Sequence, residues 1–181
     1  MSAAPAERAR VFFALWPDTS VRDALAAVAA DAQVECGGRV TARDKIHLTL
    51  FFVGDIERSR VQALEECAGA VEAGRFELDT GVLGYWRHNR IVWAGASACP
   101  TELAKLVSSL TQKLARVGRR GDDRPYVPHV TLLRNARRAP KRTIIEVPVW
   151  NAHEFVLVES ARGPGKSGYE VIARWPLAAR P

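Results

Sequence analysis

The chain has 181 residues, of which 48% are hydrophobic and 25% are charged, and its 26 Lys and Arg against 20 Asp and Glu give a formal net charge of +6. This composition is typical of a soluble globular protein, and it excludes disorder, collagen and coiled coil as descriptions of the whole chain. The length predicts a single domain over residues 1–181 with a substantial core.

Hydropathy and cysteine usage predict the compartment. No apolar run approaches the roughly 20 residues that span a bilayer, and the start of the chain, MSAAPAERAR, lacks the apolar stretch of a secretory signal. Cys36, Cys67 and Cys99 contain no C-x-x-C pair, which argues against a disulfide framework and a zinc knuckle. We therefore expect a cytoplasmic protein that needs neither a membrane nor an obligate protein partner.

The first half of the chain predicts two strands and two helices, each apolar at the period of its type and bounded by turn or capping residues. They are a strand over 10–15, a helix over 21–33 capped by Thr19 or Ser20 and broken by Gly37, a strand over 46–53 closed by Gly54, and a helix over 60–73 capped by Ser59 and ended by Gly74.

The second half predicts mostly strands. They cover residues 76–80 and 90–95 around a loop at 84–89, then a helix over 101–117 followed by Gly118, then strands over 126–133, 146–150, 155–159 and 169–175. This order mixes helices and strands without the strict alternation of a doubly wound parallel sheet, and it predicts the α+β class.

A faint internal repeat divides the chain. VFFALWP, at 11–17, precedes a helix and then HLTL, at 47–50, while IVWAGAS, at 91–97, precedes a helix and then HVTL, at 129–132. The offsets are 80 and 82 residues. Two β-α-β lobes related by a pseudo-twofold axis would explain both offsets.

The two His-x-Thr-Leu motifs are the strongest chemical signal. Because side chains alternate along a strand, His47 shares a face with Thr49, and His129 shares a face with Thr131. A neutral imidazole accepts a proton from water and a protonated one donates to a leaving oxygen, so a facing pair suits phosphodiester hydrolysis. Threonine hydroxyls would donate to phosphate oxygens.

Other readings of these histidines carry less weight. One motif alone is better explained by a satisfied core histidine, whereas the matched pair favours a site. Neither motif supplies a carboxylate or cysteine at metal-ligand spacing, so we predict no metal. His88 and His153 lie outside the pattern and have no predicted role.

Positive charge is concentrated in residues 116–142, where nine Lys and Arg stand against Asp122 and Asp123. The segment therefore carries +7 and the rest of the chain −1. Such a segment predicts a polyanionic partner such as RNA, with a solvated basic loop as the alternative.

Four stretches together, RVFFALWP, KIHLTLFFVGD, YVPHVTLLR and GYEVIARWPL, resemble the two-histidine (2H) phosphoesterases, and among them the RNA 2′,3′-cyclic phosphodiesterases, historically called bacterial 2′-5′ RNA ligases. The likeness runs from about Arg10 to Leu177. It implies a bilobal α+β fold with antiparallel sheets around a central cleft. It also implies metal-independent hydrolysis of RNA 2′,3′-cyclic phosphate ends, or of small cyclic nucleotides, to 2′-phosphates without a cofactor.

The resemblance also implies roles for individual residues. His47 matches the acid that protonates the 3′ oxygen, His129 the base that activates water, and Thr49 and Thr131 the groups that hold the phosphate. Arg134 matches a basic position at the family's active site. Strict alternation puts Arg134 on the opposite face from His129, so its role requires a bulge, a strand end or a curled side chain.

Two aromatic residues are candidates for stacking on the nucleobase, with core or interface packing as the alternative. Phe51 would share a face with Thr49, and Tyr126 precedes His129 by three residues. The sequence GPGKSG, at 163–168, is no P-loop, because Ser160 stands where the first glycine is needed. We predict a hairpin loop there, from which Lys166 could reach RNA.

Two further functions stay open at this point. The same chemistry run in reverse would join a 5′-hydroxyl to the cyclic phosphate, which is 2′-5′ RNA ligation. Alternatively, the basic segment would suit an RNA-binding module without catalysis, whose binding would survive the loss of both histidines.

Overall fold

A computed structural model describes residues 7–121, 124–161 and 168–179, and this part of the chain interleaves three helices with β-strands. The helices are α1 (Thr19–Cys36), α2 (Val61–Gly69) and α3 (Thr101–Ala115). The strands are β1 (Arg8–Leu15), β2 (Arg39–Val40), β3 (Leu48–Glu57), β4 (Phe76–Leu78), β5 (Val82–Trp86), β6 (Ile91–Gly95), β7 (His129–Arg134), β8 (Trp150–Ala152), β9 (Glu154–Ser160) and β10 (Tyr169–Pro176).

The large sheet joins two antiparallel halves. Its strand order is β10-β9-β1-β3-β7-β6-β5, with β2 also paired to β7, while β4 and β8 form a separate pair. The halves meet between β3 and β7 at one residue pair, Leu48 with Val130. The predicted α+β class with antiparallel sheets is confirmed.

The junction explains the repeat in the sequence. Leu48 and Val130 each follow the histidine of a His-x-Thr-Leu motif, so equivalent residues pair with each other, as an antiparallel contact at a local twofold axis requires. Each half contains a β-α-β unit, β1-α1-β3 in one and β6-α3-β7 in the other. Helix α1 packs against β7 and α3 against β3, so each helix contacts the other half.

Strand β1, which lies between β9 and β3, is apolar on both faces, and residues on both faces are buried. Val11, Phe13 and Leu15 are buried in the main core, on the side where the helices pack. Phe12 and Ala14 point the other way into a smaller cluster with Val156 and Val158 of β9. In the described residues, no helix combines the length and the apolar character needed to cross a bilayer.

Several predicted boundaries in the first half were wrong. Asp18, rather than Thr19 or Ser20, caps α1, because its carboxylate accepts from the Val21 amide at 2.9 Å. The strand predicted over 46–53 begins at Leu48 and continues through Gly54, which has a φ of 82° at a bulge. Helix α2 begins after a 3₁₀ turn at Arg58–Arg60, which occupies the place of a Ser59 cap.

Boundaries in the second half also differ. The strand predicted over 126–133 begins at His129, since Pro128 has no N–H for a ladder hydrogen bond. The loop predicted over 84–89 shortens to the turn at 87–90, because β5 pairs with β6 up to Trp86. The strand predicted over 146–150 is replaced by β8, which pairs with β4.

Candidate active site

Both His-x-Thr motifs line one cleft of about 1140 Å³ at the junction of the two halves. Extending the register by one residue from the Leu48–Val130 pair places His47 opposite Thr131 and Thr49 opposite His129. Leu48 and Val130 are fully buried on the other side. The structure thus brings together the four residues that the sequence predicted as the chemical centre.

Each imidazole is held by the same backbone contact. Nδ1 of His47 is 2.7 Å from the carbonyl of Lys45, and Nδ1 of His129 is 2.8 Å from the carbonyl of Val127. A carbonyl only accepts, so each Nδ1 carries the proton and donates. Nε2 is therefore the nitrogen that gains or loses a proton in both rings.

The two threonines differ in their hydrogen bonds. The Thr49 hydroxyl lies 3.1 Å from Nε2 of His47 and donates to it, because that nitrogen has no proton in the neutral ring. The Thr131 hydroxyl has no hydrogen-bond partner in the described part of the chain. Thr49 is thus engaged with its histidine in this structure, whereas Thr131 is available to a ligand.

A β-bulge at the same place in each motif changes which side chains face the cleft. Thr131 pairs with Trp93 and Leu133 with Val92, so Leu132 has no partner across the sheet. The extra residue reverses the alternation, and both Leu132 and Leu133 are buried. Arg134 consequently returns to the face of His129 and lines the cleft, which resolves the conflict in its predicted position.

The equivalent bulge at Leu50 contradicts the predicted orientation of Phe51. Phe13 pairs with Phe51 and Phe12 with Phe52, and paired residues share a face. Phe51 therefore points with Phe13 into the core, is 6% exposed, and reaches the cleft only at its edge. Phe52, which the sequence analysis missed, takes the cleft side with 53% exposure.

Tyr126 lies in the cleft wall and connects the two halves. Its hydroxyl donates to the carbonyl of Thr49 at 2.9 Å, across 77 residues of chain. Burial raises the pKa of Tyr126 well above its ordinary value, so the hydroxyl keeps its proton. This contact supports the interface alternative for Tyr126, and a role in base stacking stays a prediction.

The two histidines have different aromatic surroundings. The ring centroid of His47 lies 4.8 Å from Phe12, 5.6 Å from a stacked Trp16 and 5.4 Å from Tyr169. His129 has Trp86 edge-on at 4.5 Å, and within the described residues this is its aromatic contact. The sequence could have drawn attention to Trp16, since it directly follows the strand that lies beside the motif.

Trp86 packs against a second tryptophan, Trp93. Its ring centroid lies 5.3 Å from that of Trp93. The Trp93 ring crosses directly over Gly84 on the paired strand, where a Cβ would stand 2.2 Å from Cζ2 of the ring. The absence of a side chain at Gly84 therefore sets the position of Trp93, of Trp86 and, through Trp86, of His129.

Burial lowers the pKa of both imidazoles. The pKa of His47 is lowered to about 4 from an ordinary 6.5, mainly by desolvation, with the charges of Arg134 and His129 acting in the same direction and the hydrogen bond to Lys45 opposing them. The pKa of His129 is also lowered, by burial and by Arg134, against the hydrogen bond to Val127. Arg134 therefore acts electrostatically on both rings.

The basic segment divides into two parts. Arg120, Arg124 and Arg134 line the cleft, as do Arg39 and Lys45 from outside the segment. The end of the segment is instead bound to α1. Arg138 donates to the Glu35 carbonyl at 2.7 Å, the Lys141 amide donates to the Glu35 carboxylate at 2.8 Å, and Arg142 pairs with Asp31 at 3.4 Å.

The two other histidines differ in where they lie. His88 lines the cleft, contrary to its omission from the predicted site, and His153 is exposed outside it. Asp122, Asp123 and most of the 163–168 loop lie outside the described residues. In the part of the chain that is described, no three His, Cys, Asp or Glu side chains are grouped to hold a metal ion. The metal-independent mechanism stays a prediction.

The chain is similar to known proteins in sequence and in fold. A family model described as the 2′-5′ RNA ligase superfamily matches residues 17–164. The RNA 2′,3′-cyclic phosphodiesterase of Escherichia coli strain K12 is 33% identical over 175 residues, covering 94% of this chain and 98% of that protein.

Solved structures give the same likeness. E. coli LigT in apo form superposes with a TM-score of 0.86 at 32% identity, covering 96% of this chain and 99% of that one. E. coli LigT complexed with 3′-AMP also gives a TM-score of 0.86 at 32% identity, covering 94% and 99%.

Proposed function

The chain belongs to the 2′-5′ RNA ligase superfamily, and from that membership we propose that it hydrolyses 2′,3′-cyclic phosphates at RNA ends to 2′-phosphates. The observation that carries the proposal is the matched pair of imidazoles in one cleft, each with Nδ1 donating to the carbonyl two residues earlier. This contact leaves Nε2 of both rings as the site of proton transfer.

In the proposed reaction, Nε2 of His129 accepts a proton from water as the water oxygen attacks phosphorus. The bond from phosphorus to the 3′ oxygen breaks, and protonated Nε2 of His47 donates to that oxygen. Thr131, Thr49 and Arg134 donate to the non-bridging phosphate oxygens. The product carries a 2′-phosphate and a free 3′-hydroxyl, and both imidazoles return to their starting states by exchange with solvent.

The lowered pKa of His47 bears on its role as the acid. A proton donor must be charged before it acts, yet a pKa of about 4 leaves His47 neutral at neutral pH. A phosphodiester brings one negative charge into this desolvated site, and a nearby anion raises the pKa of an imidazole. Substrate binding would therefore supply the driving force that protonates His47.

Product analysis tests the proposal directly. The protein is incubated with a 2′,3′-cyclic mononucleotide and with an RNA oligonucleotide that has a cyclic end, with and without EDTA. We expect a 2′-phosphate from either substrate and the same rate with the chelator. A 3′-phosphate would reverse the leaving group, and loss of activity in EDTA would replace the two-histidine mechanism with a metal-dependent one.

The same experiment distinguishes ligation from hydrolysis. An RNA with a free 5′-hydroxyl is added at high concentration to the substrate with a cyclic end. A joined product would show that the 5′-hydroxyl takes the place of water in the same cleft. Hydrolysis alone would limit the activity to the phosphodiesterase reaction.

A further inference from the structure

A second pocket, of about 320 Å³, lies outside the cleft, between the start of α2 and the end of α3. We call it the α2–α3 pocket, and it is lined by Arg60, Ala63, Leu64, Arg116, Val117, Gly118 and Arg119. Its volume is at the lower end of the range for small-ligand pockets, roughly 300–1,000 Å³. Its lining combines an apolar part with three arginines.

The three arginines have no counter-charge within the described residues. Arg60, Arg116 and Arg119 make neither an ion pair nor a side-chain hydrogen bond with any residue of the chain that the structure describes. By contrast, Arg142 and Arg174 each pair with a carboxylate. Three unpaired guanidinium groups around one pocket attract an anion, and they bind phosphate oxygens with paired N–H donors.

The end of α3 joins this pocket to the cleft. Arg119 N–H donates to the Leu114 carbonyl at 3.0 Å and Gly118 N–H to that of Ala115 at 3.1 Å, with a φ of 75° at Gly118. This pattern is a Schellman motif, which reverses the chain at a helix end. After it, Arg119 lines the α2–α3 pocket and Arg120 lines the cleft. Consecutive residues of this turn, whose Cα atoms are about 3.8 Å apart, thus line the two sites.

We propose that the α2–α3 pocket binds a nucleotide upstream of the cyclic end that occupies the cleft, an inference that rests on the proposed function. The arginines would hold a backbone phosphate, and the partly buried Val117 would contact the base. A single-stranded RNA end of several nucleotides would therefore be preferred over a cyclic mononucleotide.

The experiment compares two double variants that each remove two positive charges. Arg116→Gln with Arg119→Gln alters the pocket, while Arg142→Gln with Arg174→Gln serves as the control, because both control residues are exposed and lie outside both pockets. Each protein is assayed with a 2′,3′-cyclic mononucleotide and with an RNA of about ten nucleotides, within the site sizes of single-strand binders.

For the pocket variant we expect the kcat/KM of the oligonucleotide to fall at least about tenfold, with that of the mononucleotide unchanged. The slope of log K against log salt, measured for binding of an RNA that ends in a 2′-phosphate, should fall by about 0.7, since one phosphate contact on a single strand contributes about that much. The control variant should keep both values.

Three outcomes would overturn the inference. Equal losses of oligonucleotide kcat/KM in both double variants would indicate an effect of overall charge. An unchanged salt slope in the pocket variant would show that these arginines do not contact phosphate. A lower Tm with normal RNA binding would show that Arg116 and Arg119 only stabilise the C-terminal end of α3, by their favourable interaction with the helix dipole. If the wild type hydrolyses neither substrate, the proposed function is wrong. The salt dependence of RNA binding would still test whether the α2–α3 pocket contacts a phosphate.

Discussion

The half of the cleft built on β1 and β3 encloses its histidine, whereas the half built on β6 and β7 leaves its histidine more open. His47 is surrounded by three aromatic rings and hydrogen-bonded to Thr49, while His129 meets Trp86 at one edge. The backbone contact at Nδ1 and the bulge at the leucine of each motif are the same in both halves.

This difference shows that a repeated backbone does not impose equal chemistry. The shared contacts set the tautomer and the direction of each ring. The unshared side chains set how much water each ring loses, and the pKa of His47 falls further as a result. In the proposed mechanism, the two halves divide the acid and base roles through their surroundings.

Removal of either imidazole should have the largest effect. We expect His47→Ala and His129→Ala each to lower kcat by about 10²–10⁴, because each ring performs one proton transfer. The double variant should be little worse than the single ones, since the two groups act as a unit. His153→Ala, exposed and outside the cleft, is the control, and a near-normal kcat in either cleft variant would contradict the mechanism.

The pH dependence of stability should separate the two histidines. Between pH 6.5 and about 4 the unfolded imidazole holds a proton that folded His47 does not, so stability is lost as pH falls through this window, by at most about 3 kcal/mol. Urea unfolding across this pH range should show that His47→Phe loses less unfolding free energy than the wild type as pH falls. The difference between His129→Phe and the wild type should be smaller. Parallel curves for wild type and His47→Phe would contradict the enclosure of His47.

Substitution at Gly84 should disturb the open half through its aromatic support. An added Cβ overlaps the Trp93 ring, so Gly84→Ala should cost about 1–3 kcal/mol of unfolding free energy and lower kcat by displacing Trp86. Gly168→Ala is the matched control, because its Cβ would meet nothing within 4 Å. Equal Tm and kcat in the two variants would contradict the role of Gly84 in positioning Trp93 and Trp86.

Loss of the contact between the halves should have the smallest effect. Tyr126→Phe removes the hydrogen bond to the Thr49 carbonyl, which we expect to cost about 1 kcal/mol of stability and to raise KM more than it lowers kcat. Tyr85→Phe is the comparison, since its hydroxyl makes a longer contact of 3.4 Å, to Ala136. If the two variants lose the same stability and have the same KM, the hydrogen bond from Tyr126 does not stabilise the cleft.

Much of the site could be predicted because it depends on local spacing. The alternation of side chains along a strand is a property of the strand itself, and it predicted that each histidine shares a face with its threonine, as the lining of the cleft shows. The repeat correctly predicted two β-α-β units. The same rule failed for Phe51 and left Arg134 unexplained, because a bulge depends on the register of the neighbouring strand.

The α+β class, the paired motifs and the concentration of positive charge follow from residue type and periodicity, so they can be predicted without a structure. Which side chains reach the cleft depends on how distant strands pair in the folded chain. Pairing between distant strands created the two bulges, turned Phe52 and Arg134 inward and Phe51 into the core, and bound Arg138 and Arg142 to α1. These outcomes rest on contacts between residues far apart in the chain, which no local pattern records.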